Sequence, residues 1–303
     1  MVCYGDTNNI IMLLGAVVIK EIDTLIQDIA PHQFSNEYRP QKPDANSYIL
    51  YYRDKELLIK MGVSPQVEFP TFSELAKCNE NIYNEYIYLF TIDDDRYYLM
   101  DNLNYQDTEY KMENVSEKLR NAVPLYKAFA GATGSQLYRW YRDHKFCGRC
   151  GKEMRPDERE RMLYCDYCAN MEYPKIMPAV IVGVISGNRI LMSKYADRDY
   201  SNYALLAGFV EIGEALDKGI RREIMEEVGL KIKNIRYYKS QPWGFSDTLL
   251  LGFFVDLDGD DTVTLDENEL SMAKWFEREE IPVREHNFSL TNEMIMQFKN
   301  GLV

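Results

Sequence analysis

Apolar and polar positions change period several times along this chain. Residues 47–60, SYILYYRDKELLIK, place two β-rich runs on either side of a polar turn at Arg53 and Asp54. Residues 85–100, EYIYLFTIDDDRYYLM, repeat the pattern around the acidic turn Asp93 to Asp95, and both stretches read as hairpins. Residues 113–144 read as helix in two pieces, broken near Pro124 and near Gly131 to Gly134. Together these predict an N-terminal α+β domain over residues 25–143. Its tyrosines, among them Tyr48, Tyr51, Tyr52, Tyr86 and Tyr88, serve either a core or a subunit interface. Further on, residues 178–186 form the continuous apolar run of a buried central strand, which turns at Gly187 and Asn188 into a partner at 189–194. More β-rich runs at 204–210, 232–243, 248–257 and 273–279 surround a helix at 215–228, and a last helix falls within 290–300. Strands and helices mix without strict alternation, which predicts a mixed sheet between helices, an α-β-α sandwich.

Composition narrows the class. The 303 residues are 46% hydrophobic and 27% charged, ordinary for a globular chain of two domains. A net charge of −13 opposes broad binding to nucleic acid or to an anionic membrane. The apolar run at residues 10–19 is too short to span a bilayer and has no basic flank before it. Residues 1–24 read as a leader, from an upstream start or as an added segment; the alternative is an extra strand of the first domain. Six cysteines without an export signal point to a reducing cytoplasm.

Four of those cysteines come as two CxxC pairs, Cys147 with Cys150 and Cys165 with Cys168, separated by fourteen residues. Each pair makes a tight knuckle, and Gly148 and Gly151 allow the turn. Two knuckles close a tetrahedral thiolate site suited to Zn²⁺. Four protein ligands leave no open position, so the expected role is structural. In this segment, residues 144–171, arginines alternate with acids, which argues against a nucleic-acid surface.

The remaining chemistry lies in residues 208–230, GFVEIGEALDKGIRREIMEEVGL. On a helix, Glu223, Glu226 and Glu227 share one face. Ile220, Ile224 and Val228 repeat on the neighbouring face, and Gly229 stands where glycine ends helices. Three carboxylates on one face suit a hard divalent cation such as Mg²⁺ or Mn²⁺; the plain alternative is a solvated face paired with Arg221 and Arg222. Gly208, Glu214, Arg222, Glu223, Ile224, Glu226, Glu227, Gly229 and Leu230 fall at the fixed spacing of the Nudix box, so the segment resembles the Nudix hydrolases. The resemblance implies metal ligation by Glu223, Glu226 and Glu227, with one of the last two as general base. It also implies that Arg222 orients the glutamates and that Glu214 braces the loop.

Residues 240–253, SQPWGFSDTLLLGF, are similar to the signature of the NADH pyrophosphatase subfamily, in which SQPW precedes Pro-Phe-Pro-x-Ser. Gly244, Ser246 and Thr248 depart from the two prolines and the serine. WYRDHKFCGRCG before the ribbon and YPKIMPAVIVGV after it match the same subfamily, and the likeness is strongest from Trp140 to Phe276. It implies a Nudix fold over residues 172–303, preceded by the zinc ribbon. It further implies a metal contact from the Ala207 carbonyl and another from Glu269, with Glu267 the rival for a shifted alignment. Implied substrate contacts are Tyr173, Ile181, Phe209 stacked on a base, Gln241, Pro242, Trp243, Gly244, Phe245, Ser246, Asp247, Thr248 and Thr291. The implied activity is metal-dependent cleavage of NADH or NAD⁺ to a nicotinamide mononucleotide and AMP, in a homodimer without membrane contact. The rivals are decapping at the 5′ end of NAD-capped RNA, another nucleoside diphosphate derivative, a non-catalytic nucleotide sensor and a zinc-ribbon adaptor.

Overall fold

The computed structural model describes residues 25–62, 65–106, 108–196, 203–282 and 288–303. The leader expected at 1–24 lies outside the described residues.

The N-terminal residues build two four-stranded sheets. One runs in the order Phe34–Ser35, Ile87–Ile92, Asp95–Leu99, Tyr48–Leu50. The other centres on Glu56–Met61, flanked by Tyr52–Arg53, Val67–Glu68 and Lys111–Asn114. The hairpin turns fall at Asp54 and Asp93, both at positive φ, a conformation a short acidic side chain tolerates. Tyr51, Tyr52 and Tyr88 are buried and Tyr48 packs against the same core. Most of the tyrosine-rich pattern therefore belongs to packing.

The helix Leu125–Asp143 runs uninterrupted. The break at Pro124 is present, since Pro124 is its N-cap, whereas the expected break at Gly131 to Gly134 is not. The reason is close packing. A Cβ on Gly131 would lie 2.6 Å from Leu119 Cδ1, and one on Gly134 would lie 2.4 Å from Leu50 Cδ1. Glycine lets the sheets press against the helix, which offsets a propensity cost of about 1 kcal/mol per residue.

The C-terminal residues form a six-stranded mixed sheet. Its order is Ile232–Trp243, Thr248–Leu257, Met177–Ser186, Arg189–Tyr195, Leu270–Glu277. Only the contact of Met177–Ser186 with Thr248–Leu257 is parallel among these pairs. Met177–Ser186 divides its other edge: its last residues pair with Arg189–Tyr195, and Ala179 to Val182 pair with Leu206–Phe209. One face buries Val180, Val182 and Val184 under Ile220, Ile224 and Val228 of the helix Leu216–Val228. The opposite face buries Ile181, Ile190 and Phe254 under Leu290, Met294 and Phe298 of the helix Leu290–Lys299. The expected sandwich is what forms.

Candidate active site

The helix Leu216–Val228 ends at Gly229, whose φ of 70° is left-handed, where a side chain on Cβ would be strained. Its apolar stripe is fully buried, which fixes the rotation of the helix and sends Glu223 and Glu227 inward beside the sheet. Glu223 lies flat on the backbone of Gly208: a Cβ there would stand 2.0 Å from its carboxyl carbon. Glu214 crosses the helix over Gly219, where a Cβ would stand 2.9 Å from its Oε2. Both glycines are thus required by a carboxylate that lies against them.

Arg222 gathers the acids. Its Nε donates to Glu214 Oε1 at 2.8 Å and its Nη2 to Glu214 Oε2 at 2.9 Å. Its Nη1 donates to Glu223 Oε1 and to Glu226 Oε2, each at 2.9 Å, and its Nη2 also reaches the Phe209 carbonyl at 3.1 Å. The Arg222 hydrogen bonds, helped by the Glu211 N–H, pull the Glu214 carboxyl down to about 2.

Glu227 has no such partner. It is 3% exposed, and its Oε2 makes no hydrogen bond among the described residues. Burial, then the charges of Glu223, Glu269, Asp266 and Glu226, push its carboxyl up to about 8. Burial also raises Glu223, against the pull of Arg222. The loop between the strands Thr248–Leu257 and Leu270–Glu277 brings the extra acids: the Asp266 N–H donates to the Glu227 carbonyl at 3.0 Å, and the Glu269 N–H to the Asp266 carbonyl at 3.2 Å. Glu269, rather than Glu267, stands among the charges acting on both Glu223 and Glu227. Asp266 was missed by sequence reasoning, because no helical spacing or motif links it to Glu227.

Hard oxygen donors, excess negative charge and an orphaned buried carboxylate oxygen fit a divalent cation. The carboxylates nevertheless do not converge as the thiols do. Among the described residues, only Cys147, Cys150, Cys165 and Cys168 gather three or more ligand atoms within 4.8 Å of one another. Their closest pairs are Cys147 with Cys168 at 3.6 Å and Cys150 with Cys165 at 3.5 Å, with all four thiols free. These spacings are far longer than a disulfide's roughly 2 Å and match the edges of a tetrahedron of thiolates around Zn²⁺.

The other expected contacts spread along one end of the sheet. Phe209 is 53% exposed and sits opposite Ala179, two residues from the Ala207–Ile181 pair. Ile181 is buried in the core, Ala207 packs at its margin and Thr291 lies in the first turn of the last helix. Tyr173 is half-exposed, and its hydroxyl donates to Glu160 at 2.8 Å. Gln241 is fully buried: its Nε2 donates to the Phe288 carbonyl at 2.6 Å and its Oε1 accepts from the Leu290 N–H at 2.8 Å. Its side chain therefore ties the strand to the last helix. Pro242 is exposed beside it and Thr248 is buried. Trp243 and Phe245 meet edge to face at 4.8 Å with Arg120 over both rings. Gly244, Ser246 and Asp247 complete the turn into Thr248–Leu257.

A family model of the NUDIX domain matches residues 175–297, and one of the NADH pyrophosphatase zinc ribbon domain matches residues 142–173. Curated relatives from Shigella dysenteriae and from Escherichia coli K12, each named NAD-capped RNA hydrolase NudC, are 38% identical over 178 residues. Each match covers 59% of this chain and 68% of the relative. A solved NUDIX hydrolase from Nitrosomonas europaea is 25% identical with a TM-score of 0.45, covering 52% of this chain and 91% of that one.

Proposed function

This chain belongs to the Nudix hydrolases, in the group with an NADH pyrophosphatase zinc ribbon, and we propose that it hydrolyses the pyrophosphate of NADH and NAD⁺ to nicotinamide mononucleotide and AMP. The observation that carries the reading is the pair of buried glutamates, Glu223 and Glu227, one of them with an oxygen that no group among the described residues satisfies. A buried carboxylate of that kind is stable as an anion only beside a cation.

Glu223, Glu226 and Glu227 hold Mg²⁺ or Mn²⁺, with Glu269 and the Ala207 carbonyl as further ligands. A divalent cation bound there neutralises phosphate oxygens and acidifies water. Glu226 or Glu227 takes the proton from the attacking water. Arg222 keeps Glu223 and Glu226 oriented, and Glu214 holds Arg222 in place through its two hydrogen bonds. Phe209, exposed at the open end of the sheet, stacks on a base. Tyr173, Ile181, Thr291 and residues 241–248 complete the dinucleotide site.

The chain divides into residues 25–143, the zinc ribbon at 144–171 and the catalytic residues 172–303. A second copy of the chain is the partner we assign to the exposed run of Tyr167, Met171, Tyr173, Ile176 and Met177. Reduced thiolates in the ribbon suit a cytoplasmic site, and no described helix is long and apolar enough to cross a membrane. Decapping of NAD-capped RNA is the second reading, favoured by the names of the two curated relatives. The test is product identification after incubating the protein with Mg²⁺ and NADH, NAD⁺ or NAD-capped RNA. AMP from a free dinucleotide supports the first reading, and release of 5′-phosphorylated RNA supports the second. No cleavage of any of the three would sink both.

A further inference from the structure

The turn at Gly244 to Asp247 has glycine at its head and no proline inside. Such a segment owes its order to contacts outside itself. One face of the helix Leu125–Asp143 supplies them, through residues spaced at helical intervals. At Ala132, the backbone of the turn rests directly on the helix: a Cβ on Gly244 would stand 2.4 Å from the Ala132 carbonyl oxygen. One turn on, Gln136 Nε2 donates to the Lys175 carbonyl at 3.0 Å, just before the central strand. Arg139 comes next. Its Nε donates to Asp247 Oδ1 at 3.1 Å and Oδ2 at 3.3 Å, and its Nη2 reaches both Asp247 Oδ1 and the Gly244 carbonyl. Its Nη1 donates to Ser135 at 2.6 Å, which fixes the guanidinium from below. Asp247 itself has a φ of 59°, and its carbonyl accepts the Met177 N–H at 2.9 Å. A rigid planar fork thus grips both ends of the turn at once.

We propose that Arg139 is a positioning residue: it acts through Asp247 and Gly244 to hold the dinucleotide-contacting turn in its receiving conformation. The proposal rests on the reading of residues 241–248 as substrate-binding. Arg139 lies near the C-terminal end of a helix that runs into the cysteine ribbon, and Trp140 packs in one cluster with Cys147 and Cys165. The helix and its ribbon are therefore a buttress for substrate binding, which gives the non-catalytic half of the chain a share in specificity.

The experiment compares wild type with Arg139→Ala, Arg139→Lys and Asp247→Asn, by amide hydrogen exchange of residues 244–248 and by steady-state hydrolysis of NADH with Mg²⁺. In Arg139→Ala, exchange in the turn is expected to rise about tenfold and KM about tenfold with kcat held within about twofold, as befits loss of uniform binding, while Asp247→Asn is read by exchange alone. Arg139→Lys, a point charge without the fork, is expected to recover only part of both effects. Arg139→Lys decides the matter if Arg139→Ala fails to fold. Unchanged exchange, or faster exchange with unchanged KM, overturns the proposal; so does a fall in kcat at constant KM. If wild type cleaves no dinucleotide, the functional reading fails separately, and exchange alone then decides whether Arg139 holds the turn.

Discussion

The cysteine ribbon and the acidic helix are both crowded anionic clusters, yet they are built in opposite ways. In the ribbon, four sulfurs close to within 4.8 Å of one another. Even against burial, backbone N–H groups pull the Cys147 thiol down, and the backbone N–H of Cys168 lowers Cys165, whereas the neighbouring sulfurs hold Cys150 up; a cation among the four would favour the thiolates. On the acidic helix, Arg222 stands between Glu223 and Glu226, and Glu227 is left with a free buried oxygen. A closed cage fixes a fold; an open set of carboxylates with one unmet demand can share a cation with a phosphate that comes and goes.

The sharpest way to break that contrast is to remove one ligand from each side. Cys165→Ser opens a cage whose metal supplies folding energy on the order of 10 kcal/mol. The expected outcome is a protein that fails to fold, or melts far lower, in calorimetry. Glu227→Gln should do the reverse, keeping the fold while lowering the rate of NADH hydrolysis about a thousandfold, equivalent to about 4 kcal/mol. Equal loss of folding in both variants would erase the distinction.

Gly208→Ala is expected to have a smaller effect. The new Cβ would stand 2.0 Å from the Glu223 carboxyl carbon, so the carboxylate must swing away. The rate should fall about a hundredfold in kcat assays with little change in melting temperature. A near-normal rate would mean that Glu223 need not lie on Gly208.

The remaining expected effect is one of pH. The Glu227 carboxyl sits at about 8 in the fold against an ordinary 4.5, so between those values the folded chain holds a proton that the unfolded chain has released. Stability of the zinc-loaded protein without magnesium should therefore be fullest below pH 4.5 as far as this group is concerned, and decline towards pH 8. Added Mg²⁺ should flatten or reverse that decline in thermal melts, because it replaces the proton. A decline that is indifferent to Mg²⁺ would remove the carboxylate cluster as its source.

Much of both sites was legible because local spacing carried them. CxxC pairs position their own ligands, and the i, i+3, i+4 glutamates and the terminal Gly229 follow from helical geometry alone. What was not legible depends on contacts distant along the chain. Asp266 meets Glu227 only because the loop between Thr248–Leu257 and Leu270–Glu277 folds back onto the helix. Arg139 meets Asp247 across 108 positions, and nothing in either local sequence marks the pair. The same limit produced the helix break wrongly expected at Gly131 to Gly134: local propensity argued for a break, and the neighbours that fill the space above those glycines come from other segments of the chain.

The central claim is that the acidic helix, and not the ribbon, holds an exchangeable divalent cation through Glu227. Titrating Mn²⁺ into the zinc-loaded protein, with free Mn²⁺ followed by electron paramagnetic resonance, tests it directly. Wild type is expected to take up Mn²⁺ and Glu227→Gln to bind it at least about tenfold more weakly, with zinc content unchanged in both. The same Mn²⁺ affinity in the two proteins would contradict the claim.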